Sequence, residues 1–312
     1  MVRMLAVCLT ALLPALAAAE RTVGALDTPG YAQSLTLAEG RVYLADGDGG
    51  LRIIDVSHPA APRQLGAFDT PGYAWQVAIA GDRAYVADGS TGLQIVDIAN
   101  PARPRYLGSF DTPDFTLGVA VRGDRAYLAD RLSGLRILDV SDPAAPRELA
   151  IFDTPGATIR VALREGVAYL ADGNRGLRSV DVSDPAAPQR LGALDTPGSA
   201  LGLEVAGGLV YLADRQGGMH IFDASNPARL RPEGALATQR FVLGVAVAGG
   251  RAYLARRDEG LQIVDVEHPA RPRPLAVIDT PGEAWDVKLA GGLAFVADGS
   301  AGLCILDVAD VP

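Results

Sequence analysis

Lysine is almost absent from this sequence, and other residue types that commonly build active sites are scarce. The chain of 312 residues contains one lysine, three histidines and two cysteines, and its formal net charge is −9. Proteins bind nucleic acids by neutralising phosphates with Lys and Arg, so an acidic chain without basic runs is poorly suited to that task. The same argument applies to anionic lipid surfaces. We therefore expect neither nucleic acid nor anionic lipid as a partner.

Long hydrophobic runs are missing except near the N-terminus. Arg3 precedes an apolar stretch at residues 5–16, and three alanines follow it, which is the pattern of a cleavable secretory signal. The stretch is too short to span a bilayer. We predict a signal peptide over residues 1–19 and a single domain over residues 20–312. The mature protein is then periplasmic or secreted and has no integral membrane segment.

The scarcity of cysteine excludes a disulfide framework. Cys8 belongs to the predicted signal, so Cys304 stands alone and no intrachain disulfide can form. Cys304 lies in an apolar strand pattern, which favours a small buried hydrophobic residue over a nucleophile. His220 alternates with apolar residues along a strand, and we expect it to pack at a blade edge. The sequence contains no Cys/His spacing for zinc, no nucleophile elbow and no phosphate-binding loop.

A 42-residue repeat fills the predicted domain. The tetrapeptide Asp-Thr-Pro-Gly recurs in steps of 42 residues or a multiple, with Asp-Thr-Pro-Asp as a variant at Asp111. Its copies start at Asp27, Asp69, Asp153, Asp195 and Asp279. A second series of the form Leu-x-Ile-apolar-Asp ends at Asp55, Asp97, Asp139, Asp181, Asp223, Asp265 and Asp307. Seven copies follow one another without insertion or deletion, which leaves no room for a second domain.

Each copy has the pattern of four short strands separated by turn residues. In the second copy the predicted strands cover residues 76–80, 83–87, 93–98 and 105–110. The segment Thr70-Pro71-Gly72 carries the signature of a type II turn. Four-stranded units repeated radially predict an all-β fold, a seven-bladed β-propeller. The chain stops after the third strand of copy seven, so we expect the N-terminal strand at residues 20–26 to complete the last blade.

The segment Leu93-Gln94-Ile95-Val96-Asp97 and its copy at residues 261–265 resemble the LVIVD repeat. That family consists of propeller-forming repeats in exported or surface proteins of bacteria and archaea. The resemblance covers all seven copies and implies the same fold and an exported protein. It supplies no catalytic residues to carry over.

Two series of repeated aspartates are interpreted as structural. The Asp that ends each third strand precedes a turn and can accept backbone N–H groups there, as in Asx turns. A second Asp opens the loop after the second strand in six copies: Asp46, Asp88, Asp130, Asp172, Asp214 and Asp298. We interpret these as loop caps and predict no cofactor. The alternative is an acidic ring that holds a cation such as calcium, although Asp46-Gly47-Asp48 lacks the Glu of a calcium loop.

Several residues depart from the repeat, and they lie together on one face. This face holds the loops between second and third strands and the loops between blades. The candidate ligand-binding residues are arginines in blades three to six and two tryptophans at equivalent positions: Arg131, Arg160, Arg175, Arg215, Arg240, Arg256, Arg257, Trp75 and Trp285. Arginine forks suit carboxylate, sulfate or phosphate, and tryptophans offer a stacking surface. The alternative is a set of solvated loops that tolerate arginine.

Two functions of different classes fit this pattern. The first is an exported non-catalytic propeller that binds a partner protein or a small anionic or polar ligand on this loop face. The second is a periplasmic lyase or hydrolase that acts on an anionic substrate, with an Asp of the ring as base. An enzyme requires a deep mouth with a perturbed carboxylate beside the arginines. A scaffold requires a flat face or an exposed apolar patch.

Overall fold

The strands follow the 42-residue repeat in a computed structural model, which describes Ala15–Leu16 and residues 21–311. The innermost strands of blades 1 to 7 are Ser34–Ala38, Gln76–Ala80, Gly118–Arg122, Arg160–Arg164, Gly202–Ala206, Gly244–Ala248 and Asp286–Ala290. The second strands are Arg41–Ala45, Arg83–Ala87, Arg125–Ala129, Val167–Ala171, Leu209–Ala213, Arg251–Ala255 and Leu293–Ala297. The third strands are Leu51–Asp55, Leu93–Asp97, Leu135–Asp139, Leu177–Asp181, Met219–Asp223, Leu261–Asp265 and Leu303–Asp307. The outermost strands of blades 1 to 6 are Arg63–Phe68, Arg105–Phe110, Arg147–Phe152, Gln189–Leu194, Arg231–Leu236 and Arg273–Ile278.

The four strands of each blade are antiparallel, and the seven blades together form the predicted seven-bladed propeller. The register shifts once between the third and outermost strand of every blade, for example between Tyr106 and Gly108. Such a bulge increases the local twist of a sheet. A 3-10 turn, Pro227–Arg229, precedes the outermost strand of blade 5. No helix among the described residues is long and apolar enough to cross a membrane.

The N-terminal strand closes the ring as predicted. Thr22–Leu26 pairs antiparallel with Leu303–Asp307 and is the outermost strand of blade 7. The strand bounds predicted for the second copy also hold, except that the third strand ends at Asp97. Ala15–Leu16 pairs in parallel with the outermost strand of blade 6. The rest of the predicted signal peptide lies outside the described residues.

The hydrophobic core lies between neighbouring blades. Tyr85 and Leu93 of blade 2, for example, pack against Val119 and Leu128 of blade 3. Each blade is covered on both faces, so its central strands are buried almost completely and read as apolar runs. Burial of this apolar area is the main stabilising contribution, and it connects each blade to its two neighbours.

The Asp-Thr-Pro-Gly segment is not a type II turn, so that prediction was wrong. A type II turn needs a positive φ at its glycine, and Gly72 does not have one. Instead, a Cβ on Gly72 would lie 2.2 Å from the carbonyl oxygen of Asp88. The Gly72 N–H and the Thr70 hydroxyl donate to the Asp88 carboxylate at 2.8 and 2.5 Å. Glycine is required because the segment docks closely onto a buried aspartate.

Candidate functional site

The six repeated aspartates of the loop face are fully buried and hold the fold together. Each carboxylate accepts hydrogen bonds within its own repeat; Asp298 accepts from the Thr280 hydroxyl at 2.6 Å and from the Gly282 N–H at 2.8 Å. Burial raises the pKa of four of these carboxyls, and for Asp298 the pKa rises to about 6. Five of them cap an Asp-Thr-Pro-Gly segment through its glycine N–H, whereas Asp130 accepts from Thr116 and Arg136. Within the described part of the chain, no three His, Cys, Asp or Glu side chains are placed to hold a metal ion.

Side chains at the second position of the third strand contact these aspartates in blades 1, 3, 4 and 5. Our sequence analysis named His220 and Cys304 of this series but did not expect this contact. In blade 3, Nε of Arg136 lies 2.7 Å from Oδ2 of Asp130; in blade 4, Nε of Arg178 lies 3.3 Å from Oδ2 of Asp172. Nε2 of His220 lies 3.3 Å from a carboxylate oxygen of the blade 5 aspartate. His220 therefore points to the buried aspartate from a third strand, and its expected position at a blade edge was wrong. A polar residue recurring at this place in an apolar strand was the available signal.

Cys304 occupies the same position in blade 7. The side chain is buried, and burial together with the charge of Asp298 raises the pKa of its thiol to about 12. A thiol with so high a pKa is not a nucleophile near neutral pH. The interpretation of Cys304 as a small buried hydrophobic residue is consistent with this environment.

A cavity of about 170 Å³ lies on the propeller axis at the loop face. One residue from each blade lines it, immediately before the innermost strand, and these seven residues are 42 positions apart. They are Gln33, Trp75, Leu117, Ile159, Leu201, Leu243 and Trp285. Arg160 is the eighth lining residue and the only charged one. The structure thus brings three of the predicted site residues, Arg160, Trp75 and Trp285, into one cavity.

Two tyrosines fix the tryptophans of the cavity. The indole N–H of Trp285 donates to the Tyr31 hydroxyl at 3.1 Å, and the two rings meet edge to face at 5.9 Å. The ring of Trp75 packs on Tyr73 at 4.9 Å. The Tyr73 hydroxyl in turn accepts a hydrogen bond from Nε2 of Gln33 at 2.9 Å. The wall formed by blades 7, 1 and 2 is therefore preorganised.

Arg160 crosses the central channel beneath the cavity. Its Nη1 donates to the Ser34 hydroxyl at 3.1 Å, and that hydroxyl donates to Oδ2 of Asp286 at 2.6 Å. The same Nη1 lies 3.9 Å from Oδ2 of Asp286. The Gly244 position, equivalent to Arg160, leaves no space for a side chain, since a Cβ there would lie 2.7 Å from the Trp285 carbonyl oxygen.

Asp286 is shared by two cations. Nζ of Lys288, the single lysine of the chain, lies 3.6 Å from its Oδ1. Burial raises the pKa of the Asp286 carboxyl, but Lys288, Arg160 and the hydrogen bonds outweigh it, so the pKa lies below its usual value. Glu204 lines the channel together with Lys288, and burial raises the pKa of its carboxyl. Asp286 is therefore a charged, weakly basic group in the floor of the cavity.

The predicted arginines of blade 6 lie outside this cavity and have carboxylate neighbours. Arg256 is buried, and its Nη2 lies 2.5 Å from Oε2 of Glu259. Nε of Arg240 lies 3.3 Å from Oε1 of Glu259. Nη2 of Arg257 lies 3.1 Å from Oε1 of Glu283. These acidic partners neutralise much of the positive charge that the sequence suggested for this blade.

Apart from Arg160, the predicted arginines of blades 3 to 5 are also outside the lining of the cavity. Arg215 lies over the Phe241 ring at 4.6 Å, and Arg175 is exposed. Arg131 lies 5.8 Å from the Phe115 ring and 3.6 Å from the Asp114 carboxylate. Arginine stacked on an aromatic ring is held by cation–π attraction. These side chains therefore belong to separate loops rather than to one cluster.

Blade 3 carries an exposed apolar patch on the loop face, which we name the blade 3 patch and define as Phe115 and Leu132. The two side chains are 45% and 67% exposed. The Leu132 N–H donates to the Asp114 carboxylate at 2.9 Å, which ties the two loops together. Large apolar side chains exposed on adjacent loops are typical of contact surfaces.

The LVIVD repeat family model matches seven segments, at residues 29–70, 71–112, 116–154, 155–196, 197–238, 240–280 and 281–311. No curated protein matches the chain in sequence.

Similar solved structures include the computationally designed Ika8 protein, with a TM-score of 0.69, 9% identity, and coverage of 92% of this chain and 100% of that chain. The structure of U3-55K has a TM-score of 0.74 at 14% identity and covers 90% of this chain and 97% of its own. The WD40 repeats of RRP9 have a TM-score of 0.74 at 15% identity, with 91% and 96% coverage. At these identities the likeness concerns the fold alone.

Proposed function

Since the chain belongs to the LVIVD repeat family, we propose that it is an exported, non-catalytic propeller that binds a small ligand in the axial cavity of its loop face. The cavity carries this proposal. It combines an apolar wall, two fixed indoles and a single charged residue in its lining. Apolar concave sites with a few placed polar groups are the usual form of small-molecule sites.

The floor of the cavity favours binding over catalysis. A general base works best when its pKa lies near the working pH. The pKa of Asp286 is lowered instead, and its oxygens are occupied by Ser34 and two cations. This arrangement supports a role of Asp286 in positioning Arg160. The alternative, a periplasmic lyase or hydrolase, requires turnover of the bound compound, and product analysis after binding tests it.

Thermal unfolding against a panel of small anions, sugars, divalent cations and ring compounds tests the ligand site. A ligand present at about 100 times its Kd stabilises a protein by about 2.7 kcal/mol. We expect the resulting shift of Tm to disappear in Trp75→Ala and Trp285→Ala. Tyr106→Ala, at an exposed position on an outermost strand, is the control and should keep the shift.

The panel also separates the cavity from the loop arginines. A shift that is lost only in the double variant Arg256→Ala/Arg257→Ala would place the ligand on blade 6 and contradict the cavity proposal. Absence of a shift with every compound would also contradict it.

Export is tested by N-terminal sequencing of protein recovered from the periplasm or medium, which should begin at Glu20.

A protein partner is the second candidate, and the blade 3 patch favours it. Propellers of the WD40 type commonly mediate protein interactions. Phe115 and Leu132 offer apolar contact area beside Arg131, a residue type enriched at interfaces. Phe115→Ser/Leu132→Ser should abolish retention of a partner from a periplasmic extract while Tyr106→Ser keeps it. Equal retention by both variants would exclude the patch as the contact.

A further inference from the structure

Resting on the proposed ligand-binding role of the axial cavity, we propose that its ligand is a carboxylic acid built on a single aromatic ring. The ring lies between the indoles of Trp75 and Trp285 on one side and the aliphatic side chains of blades 3 to 6 on the other. The carboxylate points to Arg160. Three features of the cavity carry this assignment: its size, the one charged residue of its lining and one buried acceptor without a partner in the described part of the chain.

The size limits the ligand to one ring. The cavity measures about 170 Å³, and an apolar cavity of about 150 Å³ is known to hold benzene. Its walls are two indoles on the side of blades 7 and 2 and four branched aliphatic side chains on the opposite side, Leu117, Ile159, Leu201 and Leu243. A flat ring can stack on an indole while its other face contacts the aliphatic wall. Nucleotides and disaccharides are too large.

The charge of Arg160 selects an anion. Arg160 is the only charged residue in the lining. Its counter-charge, Asp286, also compensates Lys288, since the two cations lie 3.9 and 3.6 Å from the carboxylate. Of the three guanidinium nitrogens of Arg160, only Nη1 has a partner among the described residues, so Nη2 and Nε remain free to donate. A guanidinium with two free donors matches the two oxygens of a carboxylate.

Gln33 adds a preference for a donor on the ring. Gln33 is 4% exposed, and its Oε1 is buried without a hydrogen-bond partner in the described part of the chain. Its Nε2 is already used by Tyr73. A buried acceptor without a partner is costly, so a ligand hydroxyl or amino group that reaches it gains affinity. A hydroxylated ring acid should therefore bind more tightly than the unsubstituted acid.

Intrinsic fluorescence gives a direct measurement, because the two tryptophans of the chain both line the cavity. We would titrate the protein with benzoate, 4-hydroxybenzoate, benzyl alcohol and acetate. We expect benzoate to change the emission, 4-hydroxybenzoate to do so at lower concentration, and acetate to have no effect. Benzyl alcohol should bind at least about tenfold more weakly than benzoate, since a hydrogen bond to a charged group contributes about 1.5–3 kcal/mol.

Two variants test the role of the arginine. Arg160→Met should weaken benzoate binding by about tenfold or more and leave benzyl alcohol binding unchanged. Arg175→Met is the matched control, because Arg175 is an exposed arginine of the same face outside the cavity lining. It should bind benzoate as the parent protein does. A loss of benzoate binding in Arg175→Met but not in Arg160→Met would overturn the assignment.

A third variant avoids the polar network of the channel. Arg160→Met removes a partner of Ser34 and can impair folding, whereas Leu201→Phe fills the cavity from the opposite wall. It should abolish benzoate binding with an unfolding midpoint close to that of the parent. Unchanged benzoate binding in a folded Leu201→Phe protein would overturn the proposal.

The outcomes also separate this assignment from the broader function. If benzyl alcohol or another neutral compound binds as tightly as benzoate, the preference for a carboxylate is contradicted, but the cavity remains a ligand site. If sugars or anions without a ring bind and lose affinity in Trp285→Ala, the preference for an aromatic ring is contradicted, but the cavity remains a ligand site. If no compound changes the emission or the unfolding midpoint, both are overturned.

Discussion

Arg160 of blade 4 donates a hydrogen bond to Ser34 of blade 1 across the axis of the propeller, at 3.1 Å between Nη1 and Oγ. The two residues belong to the same position of the repeat, three copies apart. The Ser34 hydroxyl in turn donates a hydrogen bond to the carboxylate of Asp286 in blade 7. One side chain from blade 4 thus meets the junction between the first and last blades.

The removal of Asp286 should be more damaging than the removal of Arg160. Asp286→Asn leaves Arg160 and Lys288 without their shared counter-charge, and loss of one partner from a buried pair costs about 3–5 kcal/mol. In Arg160→Met the carboxylate keeps Lys288 and Ser34, so we expect a loss of about 1–2 kcal/mol. Urea unfolding of both variants measures which of them loses more free energy of unfolding. The reverse order would contradict a shared counter-charge.

The buried aspartates of the loop face should be stabilising. Asp88→Ala leaves the Thr70 hydroxyl and the Gly72 N–H without an acceptor, and we expect the free energy of unfolding to fall by about 3 kcal/mol. Asp82, exposed in the turn at the opposite end of the same blade, is the control. Asp82→Ala should change the free energy of unfolding by less than about 0.5 kcal/mol. Similar losses in both variants would show that the carboxylate of Asp88 is not a cap.

The dependence of stability on pH should have a maximum in mild acid. Burial raises the pKa of Asp298 to about 6, so its contribution is complete below the unfolded pKa of about 3.9 and is lost as pH rises through about 6. Hydrogen bonds from Ser57 and Arg63 lower the pKa of Asp55 to about 2, so its contribution is present above about pH 3.9 and is lost as pH falls towards 2. We expect the largest free energy of unfolding near pH 4, with a decline on either side.

Single variants separate the two limbs of this curve. In Asp298→Asn the decline between about pH 4 and 6 should become shallower, because one carboxyl with a raised pKa is gone. In Asp55→Asn the acid limb should become shallower instead. Urea unfolding at a series of pH values gives both slopes. A steeper decline above pH 4 in Asp298→Asn would have the wrong sign.

The closing strand should be required for a soluble ring. A chain that begins at Asp27 lacks Thr22–Leu26 and exposes the edge of Leu303–Asp307, whose apolar side chains are buried in the intact protein. We expect a lower unfolding midpoint and association through the open edge, measured by calorimetry and size-exclusion chromatography. A chain that begins at Arg21 keeps the strand and should behave like the longer protein. Equal midpoints for the two shortened chains would contradict closure by this strand.

Most of the fold could be predicted from the sequence because the information is local and repeated. Alternation, turn residues and the 42-residue step placed the strands of blade 2 to within one residue. The type II turn failed because Gly72 is constrained by Asp88, sixteen positions away, rather than by its own φ. A turn signature describes neighbouring residues only, whereas Gly72 is required by its close contact with Asp88.

The candidate site was only partly predictable for a related reason. Trp75, Trp285 and Arg160 stood out because they break the repeat, and the ring brings them together. The carboxylates that neutralise Arg240 and Arg257 were not anticipated, because pairing depends on how adjacent loops fold over one another. Ser34 and Asp286 were missed as partners of Arg160 because a sequence does not display what faces what across a closed ring.

The contact across the axis also works as a count of blades. In a ring with an odd number of blades, the position opposite one blade is the junction between two others. With seven blades, the junction opposite blade 4 is that between blades 7 and 1, which supply Asp286 and Ser34. A ring closed with one blade too few or too many would place blade 4 opposite a different pair of strands and leave the Arg160 charge without Asp286. Seven nearly equivalent units differ little in their local pairing, and this asymmetric contact, together with the closing strand Thr22–Leu26, distinguishes the seven-bladed ring from its neighbours in size.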